Sequence, residues 1–93
     1  MAGVTFGAVG DIAFHKGISQ FLNAEGPDWP FARVREALSR ADVLFGNLEF
    51  PFLPSNFPPG EVDPAAALSV VPGAEGAAAL RRAGFDMLNL ATN

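Results

Sequence analysis

The chain contains no cysteine and no tyrosine, a single histidine and a single tryptophan, and only six basic residues against ten acidic ones. Without cysteine there is no disulfide framework and no thiolate chemistry. A net charge of −4, with the basic residues scattered, excludes a general nucleic-acid binder, which needs a clustered basic face. No apolar run is long enough to span a bilayer. The N-terminus lacks the basic region and apolar run of a secretory signal, so a cytoplasmic product is the default expectation. Charged residues are few as well, 17% against 49% hydrophobic, and that balance excludes a disordered acidic tail.

What remains is apolar bulk carried by nine phenylalanines, punctuated by ten glycines and eight prolines in 93 residues, enough for at most one domain. Residues 3–9 predict a first strand. Val4, Phe6 and Ala8 alternate with Thr5, Gly7 and Val9, all small or apolar, as expected where both faces are covered. Gly10-Asp11 follows. A short helix is expected near 16–24, ended by Gly26-Pro27. A second is expected over 29–40, with Asp28 as N-cap, Pro30 in the first turn, and Phe31, Val34, Leu38 and Ala41 at helical spacing. Asp42 to Gly46 reads as a buried strand that runs into Asn47-Leu48-Glu49.

Residues 50–67 hold five of the eight prolines and predict a long loop. Leu68 to Val71 predicts a short third strand. Residues 73–83 predict a helix with Ala74, Ala77, Leu80 and Ala83 inward, stopped by Gly84, with Phe85 packing back on its last turn. Residues 86–91 predict the last strand. Strands alternating with helices imply an α/β fold, a mostly parallel sheet with right-handed crossovers.

In a parallel sheet the carboxyl ends of the strands share one edge, and ligands bind outside it. Three strand ends here carry polar residues: Asp11 and His15 after the first, Asn47 and Glu49 after the second, Asn93 after the last. Each has a plainer reading as turn former, cap or surface residue. Glu49 is the odd one, a carboxylate flanked by Leu48 and Phe50 that needs a partner if buried. Carboxylate, imidazole and amide ligands together suit a divalent ion such as Mn, Fe or Zn. Gly7 to Gly10 is not a phosphate loop, because it lacks the Gly-Lys-Ser/Thr ending and is followed by an acid.

Four groups of residues then line up with one family. They are Gly10-Asp11-Ile12 with His15; Pro30-Phe31-Ala32; Ala41 to Phe45 with Asn47-Leu48-Glu49-Phe50-Pro51; and Ala83-Gly84-Phe85-Asp86 with Leu90-Ala91-Thr92-Asn93. In that order they resemble the CapA family of capsule and poly-γ-glutamate synthesis proteins, a branch of the calcineurin-like metallophosphatases. The resemblance implies that the chain is the N-terminal portion of a metallophosphatase-like α/β/β/α sandwich. It implies Asp11, Glu49 and Asn93 as metal ligands, Asn47 as their support and His15 as a ligand or catalytic site histidine.

The resemblance implies a metal-dependent hydrolase acting on a phosphoester or an anionic polymer. The other reading is a non-catalytic scaffold or interaction module in polymer assembly or export. In the family a histidine follows the asparagine that Asn93 matches, and members are often extracytoplasmic. The 93 residues are therefore expected to be a fragment of one domain, inactive alone, with an open sheet edge that an oligomer could cover.

Overall fold

A computed structural model describes residues 3–14, 18–49, 52 and 73–91. Its elements run β1 (Phe6–Ile12), α1 (Ser19–Glu25), a 3-10 turn (Trp29–Phe31), α2 (Arg35–Leu38), β2 (Val43–Leu48), α3 (Gly73–Ala83) and β3 (Met87–Asn89). The three strands form one parallel sheet in the order β1-β2-β3, which makes this an α/β fold. The expected strand at 68–71 and nearly all of the loop at 50–67 lie outside the described residues.

Each parallel neighbour enters the sheet through an aspartate clamp. Asp42 donates its backbone N–H to the Thr5 carbonyl at 2.8 Å, and its Oδ2 accepts the Thr5 N–H at 2.7 Å. Asp86 repeats the arrangement one strand further on. Its N–H donates to the Leu44 carbonyl at 3.0 Å, and its Oδ2 accepts the Leu44 N–H at 2.8 Å. A side chain thus closes each ladder where a backbone partner would otherwise run out.

The core lies on one face of this sheet. Along β2, Leu44, Gly46 and Leu48 are buried, while Val43, Phe45 and Asn47 on the other face are not. Ile12, Phe14, Leu22, Phe31, Leu80, Ala83 and Phe85 pack with Leu44 and Leu48. Burying each large apolar side chain stabilises the fold by about 1.5–3 kcal/mol. Three phenylalanines form its centre, Phe14 edge-on to Phe31 and Phe31 edge-on to Phe85, with ring centroids 5.9 Å apart in both pairs. Gly46 lets the core close onto the strand: a Cβ there would stand 2.6 Å from Ile12 Cδ1 and 3.0 Å from the Phe85 ring.

Several expectations need correcting. β1 is not covered on both faces, since Phe6 is 62% exposed and Ala8 and Gly10 are exposed too. The strand also continues to Ile12 rather than ending at residue 9, because the Ile12 carbonyl still accepts the Glu49 N–H at 2.9 Å. The expected helix over 29–40 divides into the 3-10 turn and α2. Pro30 has no N–H to offer, and Phe31, Ala32 and Val34 donate to carbonyls three residues back while Phe31 is drawn into the core. Asp28 makes no side-chain cap, because its carboxylate accepts Arg82 Nε at 2.9 Å and Nη2 at 3.0 Å.

α3 has the expected bounds but a rotated face. Gly76, Ala79, Leu80 and Ala83 are inward, while Ala74 and Ala77 are exposed. The Phe52 ring lies against Gly76 where a Cβ would overlap it, so the glycine serves packing at that point. Gly84, at φ +103°, ends the helix. Its N–H donates to the Arg81 carbonyl at 3.0 Å and that of buried Phe85 to Leu80 at 3.1 Å, the pair of bonds of a Schellman stop. Among the described residues no helix is long and apolar enough to cross a membrane.

Candidate functional site at the carboxyl end of the sheet

Strand pairing places Asp11 opposite Asn47, and Asn47 opposite Asn89. Paired residues project to the same side, so the three form one polar rung across the sheet, on the face away from the core. Glu49 lies two residues beyond Asn47 and shares that side. The same face is apolar nearer the strand starts, where Phe6, Val43, Phe45 and Met87 lie.

The rung depends on an irregularity in β1. Ala8 pairs with Phe45 and Asp11 with Asn47, so Val9 and Gly10 together oppose Gly46 alone. This is a β-bulge. Had the pairing continued evenly from Ala8, Asp11 would have faced Leu48 and the core. The extra residue returns it to the exposed face, as bulges beside functional sites commonly do.

Asn47 ties the rung together. Its Nδ2 donates to Asp11 Oδ1 at 2.8 Å and to Glu49 Oε2 at 3.1 Å, so both amide protons go to carboxylates. Its Oδ1 accepts Asn89 Nδ2 at 2.7 Å. Asn89 Oδ1 in turn accepts the Ala91 N–H at 3.3 Å. Two acids that would repel across a bare edge are thus held on one amide, with a second amide behind it.

Of the residues singled out in the sequence, Asp11, Asn47 and Glu49 come together. Asp11 and Asn47 sit within their strands rather than after them. His15 and Asn93 lie outside the described residues. The sequence reading missed Asn89. Its signal was present all the same: a carboxamide between Leu88 and Leu90 is as anomalous in an apolar strand as Glu49 is between Leu48 and Phe50.

The donor set bears on a metal directly. Among the described residues no three His, Cys, Asp or Glu side chains form a group able to hold an ion. Two carboxylates share one amide, whose own oxygen is turned away toward Asn89. The carboxylates are hard oxygen donors, and they fit the anionic part of a divalent-cation site. On the core side of β1, a cleft of about 260 Å³ opens next to the rung, lined by Asp11, Ile12, Phe14, Phe31, Val34 and Phe85 among others. A polar rung beside an apolar cleft can hold a ligand that is charged at one end.

Residues 5–93 match the family described as bacterial capsule synthesis protein PGA_cap. The chain is also similar to the capsule biosynthesis protein CapA of Bacillus anthracis, at 33% identity over 93 residues, which is 97% of this chain and 22% of that protein. It therefore spans about a fifth of the length of this curated relative. No solved structure matches it.

Proposed function

This chain belongs to the PGA_cap family of bacterial capsule synthesis proteins, and on that footing we propose that its polar rung is part of a metal-dependent hydrolase site. The protein that carries it would act on a phosphoester or on the linkages of an anionic capsule polymer such as poly-γ-glutamate. The observation that carries this reading is the single Asn47 amide donating to both Asp11 and Glu49. Carboxylates drawn together at the open edge of a parallel sheet stand where such folds bind ligands.

Asp11 and Glu49 would hold a divalent ion such as Mn, Fe or Zn. Bound there, the ion would lower the pKa of a water molecule and polarise the substrate oxygen. The chain's own residues do the positioning. Asn47 fixes the two acids relative to each other, the Asp42 clamp ties β1, which carries Asp11, to β2, and the Asp86 clamp ties β3, with Asn89, to β2. His15 and Asn93 are the further candidates from the sequence for catalysis and for ligation.

Calorimetric titration with Mn²⁺ tests the proposal. Asp11→Ala and Glu49→Ala should each weaken binding at least tenfold, on the order expected when a ligand is removed. Unchanged affinity in both variants would overturn it.

A second reading has its own observation. Phe6 is 62% exposed and Met87 56% exposed on the face that carries the rung. An apolar sheet face of that kind suits assembly with another protein surface, which would make the segment a scaffold in polymer assembly or export. Chelator-sensitive turnover of a generic phosphoester by the longer protein would count against a purely scaffolding role.

A further inference from the structure

Three features lie outside the Asp11–Asn47–Glu49 contact: the apolar cleft, the exposed apolar face, and Asn89. The cleft's one charged lining residue, Asp11, already belongs to the rung, and nothing shows what covers the face. Asn89 has a defined partner on each side.

We propose that Asn89 is the positioning residue that sets the polarity of the site, by forcing Asn47 to present its amide protons to Asp11 and Glu49. This rests on the reading of the rung given above. A carboxamide can bind its neighbours in either of two orientations that exchange oxygen and nitrogen, and which one is populated follows from the hydrogen-bond network. Here the orientation is fixed from one end. The Ala91 N–H can only donate, so the atom of Asn89 beside it is the oxygen, at 3.3 Å. That leaves Asn89 Nδ2 facing Asn47, where it donates to Oδ1 at 2.7 Å. Asn47 must then turn Nδ2 toward the acids, at 2.8 Å and 3.1 Å.

The order runs from a backbone N–H through two amides to two carboxylates, each step donor to acceptor. Reversing Asn47 would set its oxygen against two carboxylates and its N–H groups against those of Asn89. The strand register keeps the chain in line, since Asn89 pairs directly with Asn47 and Asn47 with Asp11.

Asn89→Asp is the discriminating substitution. It keeps the shape and the oxygen that accepts from Ala91, and turns the N–H donor facing Asn47 into a charged acceptor. The substituted carboxylate would attract the Asn47 amide protons away from Asp11 and Glu49. Asn89→Ser keeps a hydroxyl that can both accept and donate.

The readout is the Asn47 side-chain amide in nitrogen-15 NMR of the full chain, with Leu44 and Leu48 backbone amides reporting on the fold. In the unsubstituted protein the Asn47 amide protons should exchange with solvent more slowly than those of an exposed asparagine. Asn89→Asp should speed that exchange about fivefold, as expected for one lost hydrogen bond. Asn89→Ser should recover much of the protection.

An Asn47 amide that exchanges like a solvated one in the unsubstituted protein overturns the proposal. So does one that ignores Asn89→Asp while Leu44 and Leu48 stay in place. If Mn²⁺ does not bind at all but the Asn47 amide responds as described, the role of Asn89 stands and the metal reading falls.

Discussion

Asp86 holds Leu44 by both of its backbone polar groups, accepting its N–H on Oδ2 at 2.8 Å and donating to its carbonyl at 3.0 Å. The contact lies at the start of the β2–β3 pairing, and the Asp11–Asn47–Asn89 rung lies at its end. Removing the carboxylate leaves the Leu44 N–H without this acceptor in a part-buried position. Asp86→Ala should therefore destabilise the chain by about 1–2 kcal/mol in a urea titration, and Asp86→Asn by less. Equal stability of all three would show that the clamp contributes nothing to the sheet.

The bulge in β1 makes a counterintuitive prediction. Deleting Gly10 removes the extra residue and leaves Ala8, Val9 and Asp11 in even alternation opposite Phe45, Gly46 and Asn47. Asp11 should then still face Asn47, and the Asn47 amide should keep its slow exchange. A normal residue lost from an unbulged strand would instead turn every later side chain to the other face. Loss of the Asn47 protection on deleting Gly10 would show that the bulge sets geometry beyond parity.

Gly46 lies where Val9, Ile12 and Phe85 converge, 2.6–3.1 Å from the position a Cβ would take. Gly46→Ala should cost about 1–3 kcal/mol through overpacking. The measurement is the midpoint of urea unfolding, and an unchanged midpoint would contradict the packing described.

The Asp28 carboxyl lies below its ordinary value of 3.8, chiefly because Arg82 donates to it, and the Arg82 guanidinium is raised in turn. A depressed carboxyl stabilises the fold above its unfolded pKa and loses that contribution as pH falls through the folded one. The link between α3 and the 3-10 turn should therefore persist at neutral pH, weaken as pH falls below the ordinary carboxylate value, and be lost only below the depressed folded pKa. Arg82→Ala should move the Asp28 titration, followed by carbon-13 NMR, upward toward its ordinary value, with Arg35 still holding it down in part. The effect on stability should be small, because both side chains are half exposed and the pair is screened by salt.

The α/β order was legible because strands and helices alternate with clear stops. α3 kept its expected bounds because Gly84 and Phe85 form a stop that residue type alone announces. Its inward face was not legible, since alanine and glycine occupy most positions and tertiary packing, Phe52 against Gly76 and the core against Leu80 and Ala83, decides between them. The helix over 29–40 was overestimated, because periodicity sees Phe31, Val34 and Leu38 but not the tightening around Pro30. Asp11, Asn47 and Glu49 were legible as polar residues at apolar strand ends. The bulge that aims Asp11, and the register that adds Asn89, depend on pairing between strands, which no single segment encodes.

On the proposed reading Asp11, Asn47 and Glu49 form one cation-binding rung, which paramagnetic broadening by substoichiometric Mn²⁺ puts to the test. Signals of Asp11, Asn47 and Glu49 should be lost first, while those around Asp28, Asp42 and Glu75 persist. Broadening spread evenly over all the acidic residues, or centred on Asp28, would contradict it.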